Sequence, residues 1–370
     1  MKKSLIALAV LAASGAAMAQ SSVTLFGVVD ASVSYRDGSG NGNVWALSSG
    51  NNASSRLGFR GVEDLGGGMK ASFWLEASVV NDNGAFGTTS TNNQPSSSTG
   101  GGGLTFSRRS TVSLQGNWGE LRLGRDYVPT FWNHTVFDPF GTVGAGSYTN
   151  VSLAGMAAIA GTAGPVTGVR ASNSVGYLMP TIGGFYGQVM YAMGENASNG
   201  AVNTAAESNN GDVAAIRAGW SNGPINVAIA YGATKFYSPL VGGQTDYKNA
   251  NIGGSYNFGV ATVMANWNEE KGAGVTNETW LLGATMPYGA SEFKASVAGG
   301  KISNAANNNI GDTIQFSLGY VYNMSKRTAL YATYSGNNNS GNAYNYNNGR
   351  AAATPGGNTY GLDFGVRHSF

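Results

Sequence analysis

The sequence predicts an all-β protein, a transmembrane, antiparallel, up-and-down β-barrel of sixteen strands. Three observations carry that prediction. The last segment alternates, with Tyr360, Leu362, Phe364, Val366, His368 and Phe370 on one face and Gly361, Asp363, Gly365, Arg367 and Ser369 on the other. A period of two with one apolar and one wet side marks a strand between two media. The amino terminus reads as an export segment. Short Gly- and Asn-rich connections alternate with longer polar ones, the pattern of a barrel with unequal rims.

The elements follow in chain order. Residues 1–19 read as a secretory signal peptide: Lys2 and Lys3 precede the apolar run Leu5 to Leu11, and Ala17-Met18-Ala19 is a small-x-small cleavage site. The apolar run is too short for a membrane span, which needs roughly 20 residues. Loss of Lys2 and Lys3 leaves the remainder, 20–370, formally neutral and a single barrel domain. Absence of cysteine excludes a disulfide framework. The chain has 57 glycines, only 11% charged residues and a mean hydropathy of −0.13. Aromatic residues spread along the chain argue against disorder.

Strands are predicted at 22–36, 54–65, 69–80, 107–118, 120–128, 168–180, 184–194, 212–221, 224–236, 246–257, 260–271, 276–287, 291–303, 312–323, 326–335 and 358–370. In the third, Ala71, Phe73, Leu75, Ala77 and Val79 oppose Lys70, Ser72, Trp74, Glu76 and Ser78. In the fourteenth, Ile314, Phe316, Leu318, Tyr320 and Tyr322 face outward. Short turns include Gly66-Gly67-Gly68, Ser221-Asn222-Gly223 and Pro287-Tyr288-Gly289. The long connections are 37–53, 81–106, 129–167, 195–211, 237–245, 304–311 and 336–357, with 272–275 the short exception. Aromatics near strand ends, among them Tyr177, Phe185, Tyr186, Tyr256, Trp280, Tyr288 and Tyr322, suit interfacial girdles. A soluble β-sandwich would also show alternation, but not together with the export segment and unequal loops.

Several segments carry a family resemblance. They are Ser22-Val23-Thr24-Leu25-Phe26-Gly27, Ser55-Arg56-Leu57-Gly58-Phe59-Arg60-Gly61 with Glu63-Asp64-Leu65-Gly66, and Ser107-Arg108-Arg109-Ser110. Gly119-Glu120-Leu121-Arg122-Leu123-Gly124-Arg125, Arg170-Ala171-Ser172-Asn173-Ser174 and the terminal Phe370 complete the set. Together they resemble the general porins of Gram-negative outer membranes, of the β-proteobacterial branch. The resemblance implies a trimeric diffusion pore in the outer membrane whose third loop folds inward to narrow the lumen. It also implies that Phe370 is read by the outer-membrane barrel assembly machinery.

The third long loop, 129–167, occupies the constriction-loop position. Its Phe131, Trp132, His134 and Phe137 make it too aromatic for a freely solvated loop, so an inward fold is expected, with Asp138 near the lumen. A loop packed over the barrel mouth is the competing arrangement.

Strand parity then places charge. Leu57 and Phe59 facing lipid turn Arg56 and Arg60 inward; Val112 and Leu114 facing out turn Arg109 inward. Leu121 and Leu123 turn Arg122 inward, and Val169, Ala171, Val175 and Tyr177 turn Arg170 inward. The same parity points Arg125 outward unless a bulge, rim position or subunit contact intervenes. An arginine ladder opposed by Asp138 would favour anions. Pairing of the arginines with Glu76 or Asp30 would instead leave the pore nearly neutral.

Enzyme chemistry has little support. The only histidines are His134 and His368, and no Gly-x-Ser-x-Gly motif or metal-ligand spacing is present. No cofactor is implied, and basic residues form no nucleic-acid stripe. The expected function is passive diffusion of ions and small hydrophilic solutes, with membrane lipid and other copies of the chain as partners. A surface binding barrel and a substrate-specific channel remain the alternatives.

Overall fold

The computed structural model describes residues 22–94, 98–99, 103–160, 168–202, 204–341 and 346–370. The predicted signal peptide, 1–19, and the third-loop stretch 161–167 lie outside the described residues. Sixteen strands form the wall. The first eight are β1 (Ser22–Gly38), β2 (Arg56–Gly66), β3 (Met69–Val80), β4 (Arg109–Gly116), β5 (Gly119–Tyr127), β6 (Arg170–Leu178), β7 (Phe185–Ala192) and β8 (Val213–Asn222). The rest are β9 (Ile225–Ser238), β10 (Gly243–Asn257), β11 (Thr262–Gly272), β12 (Val275–Tyr288), β13 (Ser291–Ser303), β14 (Asn309–Asn323), β15 (Thr328–Ser340) and β16 (Thr359–Ser369).

Each strand pairs antiparallel with its sequence neighbours, and β16 closes on β1 from Val28↔Ser369 to Gly38↔Thr359. Phe370 completes the seam, exchanging two 3.1 Å backbone hydrogen bonds with Gly27. Closure leaves the wall without an open edge, which a lipid-exposed sheet requires.

The burial pattern is inverted relative to a soluble core. Val23, Leu25, Val33, Ile229, Leu282, Phe316, Leu330 and Phe364 are exposed outward, whereas Asp30, Ser32, Asn249, Asn268, Gln315 and Asp363 are buried inside. That is the apolar-out, polar-in alternation of a membrane barrel. The exceptional short connection is a two-residue turn. Gly272 pairs with Val275, and Ala273 and Gly274 have φ of 49° and 76°. Both central residues of this tight hairpin have positive φ, as its twist requires.

Three features depart from the sequence prediction. The first connection, 37–53, is not simply a loop. Its segment Gly42–Ser49 continues the ladder on β1, from Ala31↔Ser49 to Gly38↔Gly42. Residues 50–55 then leave the wall before β2 resumes at Val28↔Arg56. Second, β6 has a register break between Ala171 and Ser174, with Asn173 at φ 58°. Ala171 is therefore not on the lipid face; it is fully buried beside Val128 and Phe131. Third, Tyr186 does not join an outer girdle. It pairs with Gly219 beside the exposed Phe185, and its hydroxyl meets Arg217 and Asn226.

The third loop contains α1 (Pro129–Val136), α2 (Thr149–Ser152) and α3 (Gly155–Ala160). Pro129 opens α1, where its missing N–H costs nothing. The loop lies against the inner wall because the wall is floored with glycine there. A methyl group on Gly253 would sit 2.2 Å from Phe137, one on Gly283 2.5 Å from Pro139, and one on Gly319 2.7 Å from Phe140. On the return path Val151 seats on Gly300 and Ile159 on Gly272, each 2.7 Å from the same hypothetical methyl.

Candidate functional site

Wall amides hold the loop in this seat. Asn251 Oδ1 accepts from Asn133 Nδ2 at 2.8 Å, and Asn133 Oδ1 accepts from Arg217 Nε at 2.7 Å. On the return path Asn268 Nδ2 donates to Ser152 O at 2.8 Å, and the Gly155 N–H donates to Glu270 Oε2 at 2.9 Å. At the tip, the Ala145 N–H donates to Asp363 Oδ2 at 2.9 Å. Phe131 stacks on Tyr127 with centroids 5.1 Å apart, and Trp132 meets the same ring edge-on at 5.2 Å. Phe137 is fully buried.

Asp138 does not oppose the wall arginines. Its carboxylate accepts from the backbone N–H groups of Phe140, Thr142 and Tyr148 at 2.9, 3.0 and 2.9 Å. It joins no ion pair among the described residues, and it is the only acidic or basic side chain besides His134 between 129 and 167. Burial lifts its carboxyl above the usual range, outweighing these donors and the Lys294 charge. His134 is also hidden. Its Nδ1 lies 3.1 Å from Ser152 Oγ, and burial pulls its pKa down to about 3, which keeps it neutral. The loop therefore presents almost no charge to the pore.

The opposite side of the lumen is cationic. Arg170 lies 4.3 Å over the Tyr127 ring and donates from Nη2 to its hydroxyl at 2.7 Å. Arg108 donates to the same hydroxyl at 3.1 Å and pairs with Glu76 at 2.5 Å. Below them, Trp74 is sandwiched, with Arg109 at 4.8 Å and Arg60 at 5.2 Å from its ring. Arg60 also covers Phe26 at 5.3 Å. Arg56, Arg60, Arg170 and Arg367 take part in no ion pair among the described residues.

The nearby carboxylates are already engaged. Asp30 accepts from the Asn52 and Ala53 amides and from Tyr331; Asp363 pairs with Arg36 at 2.7 Å. Asp126 takes Arg122 at 2.5 Å and Arg109 at 3.8 Å. Arg122 also holds Glu120 at 2.8 Å, so it is a neutralised wall strut rather than a free lumenal cation. Arg125 donates to Ser107 O at 2.7 Å and Ser172 Oγ at 2.9 Å beside the β6 register break. These contacts satisfy a residue that strict parity would leave in lipid.

Four contributors escape parity reasoning. Arg108 neighbours the inward Arg109, so alternation would turn it away from the lumen; β4 begins only at Arg109, however, and alternation does not govern the residue before it. Arg367 shares the inward face of β16 with Asp363, and its Nη1 donates to Asn52 Oδ1 at 3.0 Å. Tyr127 gathers two arginines at the end of β5. The excursion 50–55 enters the lumen, where Asn51 Nδ2 donates to Asp363 at 3.0 Å. There it meets the tip of the third loop, since a methyl on Gly144 would sit 2.3 Å from Asn51 O.

A closed barrel with a seated inner loop and an open cationic side is the geometry of a diffusion channel, and comparison with known proteins agrees. Residues 5–342 match the Gram-negative porin family. The chain is 41% identical over 343 residues to outer membrane porin protein 32 of Delftia acidovorans, covering 90% of this chain and 88% of that protein. It is 30% identical to an outer membrane porin protein of Bordetella pertussis, with 90% and 93% covered. Among solved structures, the anion-selective porin from Comamonas acidovorans superposes with a TM-score of 0.80 at 34% identity, over 95% of this chain and 100% of that one. The trimer form of OmpT from Vibrio cholerae shares the fold, with a TM-score of 0.63 at 15% identity over 95% and 99%. This chain belongs to the Gram-negative porin family, and its barrel is an outer-membrane channel for small solutes.

Proposed function

We propose that the channel passes anions in preference to cations, and that Arg56, Arg60, Arg108, Arg109, Arg170 and Arg367 set that preference. One observation carries the reading: arginines, several of them without an acidic partner, line one side of the lumen while the facing loop keeps its only carboxylate, Asp138, locked in its own backbone. A cationic ring at a constriction raises the local anion concentration and repels cations. Zero-current potentials across a planar bilayer in a KCl gradient test this. The sign should report chloride preference, and the double variant Arg56→Ala/Arg170→Ala should move it toward zero. Potassium preference in the unaltered protein, or an unmoved potential in the variant, overturns the assignment.

We also propose a homotrimer, by analogy with the trimeric relative. Phe370 is assigned to assembly: its ring packs on Gly27 at the closing seam, where a methyl would meet it at 2.4 Å. Phe370→Ala should lower the amount of assembled barrel more than the conductance of each channel that forms. Normal membrane levels of this variant would exclude the assignment.

A further inference from the structure

The outward faces of the strands are apolar along most of their length, yet charge collects on one arc. On the long-loop half of the wall, outward positions of β9, β10, β11 and β13 hold Lys235, Lys248, Lys271 and Lys301. The carboxylates Asp246, Glu269, Glu278 and Asp312 stand among them on β10, β11, β12 and β14. The flanking strands β7, β8, β15 and β16 have no charged residue at outward positions on that half. The arc is thus bounded on both sides.

Its internal arrangement is unusual for a surface that contacts only water. Lys248 and Lys271 are direct cross-strand partners. Like charges so placed repel unless something lies between them. Lys271 leans to Glu269 at 2.7 Å, and Lys248 shares Asp246 with Lys235 at 3.8 and 3.7 Å. These contacts leave the lysine side chains about half exposed, at 50% for Lys248 and 52% for Lys271. Both line a depression of about 450 Å³ with Gln244, Thr245, Asp246 and Gly272. Toward the membrane centre, Trp267 pairs with Trp280, whose ring lies across Gly299. A second depression of about 520 Å³ opens there, with Trp267, Trp280, Lys301 and Asp312 in its walls. Paired tryptophans at this height mark the membrane interface.

We propose that this arc docks the phosphorylated sugar headgroup of an outer-leaflet glycolipid, with a phosphate between Lys248 and Lys271 and the sugar body against Trp267 and Trp280. A phosphate supplies the anion that the opposed lysines lack, through charge-assisted hydrogen bonds. The sugar's C–H faces suit the indole rings. The outward direction of all these side chains separates the site from the lumen, so it is independent of ion selectivity.

The test uses the full barrel in detergent micelles and native mass spectrometry. The probe is a bisphosphorylated glucosamine-disaccharide lipid, compared with its dephosphorylated form and with inorganic phosphate. Lys248→Ser/Lys271→Ser should weaken binding of the phosphorylated lipid at least tenfold, whereas Lys326→Ser/Arg327→Ser on the short-turn rim should not. The dephosphorylated lipid should bind both forms equally, and inorganic phosphate should not compete at millimolar concentration. Equal retention of the phosphorylated lipid by the unaltered barrel and the double-lysine variant overturns the proposal, as does full competition by inorganic phosphate. Single-channel conductance of the double-lysine variant should be unchanged, which separates this result from any failure of the anion-selectivity reading.

Discussion

From β9 to β16 the lumenal positions that meet the third loop carry glycine, asparagine and serine; from β2 to β6 they carry arginine, tyrosine and tryptophan. The first arc is shaped for protein. Gly253, Gly283 and Gly319 leave room for Phe137, Pro139 and Phe140, and Asn251 and Asn268 satisfy the loop's polar groups. The second arc is shaped for solute, with long cationic side chains braced on aromatic rings. The contrast explains how one wall can both anchor a constriction and leave it charged. Polar groups that must hold a buried loop are satisfied at short range, because an unmade buried hydrogen bond is expensive. Groups that must act on a passing ion keep part of their bonding capacity free.

The sharpest way to break this division is Asp138→Ala. If Asp138 serves the loop alone, its loss strips three buried N–H groups of their acceptor, at about 1–3 kcal/mol each. Thermal or denaturant unfolding should then show destabilisation of about 3 kcal/mol or more, while channels that still open keep their chloride preference. A gain in chloride preference with unchanged stability would return Asp138 to the lumen, opposite the arginines.

Gly253→Val tests the other requirement of the seating arc, close approach. The added side chain collides with Phe137, and overpacking of this kind costs about 1–3 kcal/mol. The loop should be displaced toward the lumen, so single-channel conductance changes together with stability. Unchanged conductance would mean that the loop's position is set elsewhere, for instance at the Ala145–Asp363 contact.

Acid should loosen the same arc. His134 is neutral when seated, with a pKa of about 3, whereas an unseated imidazole titrates near 6.5. Above about 6.5 neither state takes the proton, and seating has its full strength. As pH falls from about 6.5 toward 3, only the unseated loop binds the proton, so seating weakens, by about 2 kcal/mol at pH 5. Proteolysis or hydrogen exchange of the loop should show that slope, and His134→Gln should flatten it. An unchanged slope in that variant would assign the acid response to another group.

The two arcs are not equally legible in the sequence. Strand number and facing can be read because lipid on one side and water on the other enforce a strict period of two, as in β14 from Ile314 to Tyr322. Free lumenal arginines such as Arg56 and Arg60 follow from the same parity. Parity fails where the chain leaves the ladder: Arg108 precedes β4, and Asn173 adds a residue within β6. The inward excursion 50–55 has no local signal, because Gly50-Asn51-Asn52-Ala53 has the composition of any polar turn. Its destination is fixed by Asp30, Asp363 and Arg367, partners brought near only when β16 closes on β1. The role of Asp138 is hidden for a related reason. A carboxylate near a pore suggests a counter-charge, and only folding of the loop reveals three amides converging on it.

Trp74 offers the finest test of how the solute-facing arc works. Its ring separates Arg60 from Arg109, and its Nε1 donates to Glu76 Oε2 at 3.1 Å. Each cation–ring contact contributes about 0.5–1 kcal/mol where solvent reaches it. Two like charges need such a spacer to stand at fixed heights along the lumen rather than swing to separate acids. Trp74→Leu keeps an apolar contact for Phe26 but removes the flat face, so stability should fall by about 1 kcal/mol. Chloride preference should fall slightly, and Trp74→Phe should restore most of it. Full preference in the leucine variant would show that Asp126 and Thr111, which also hold Arg109, suffice to fix the charge without the ring.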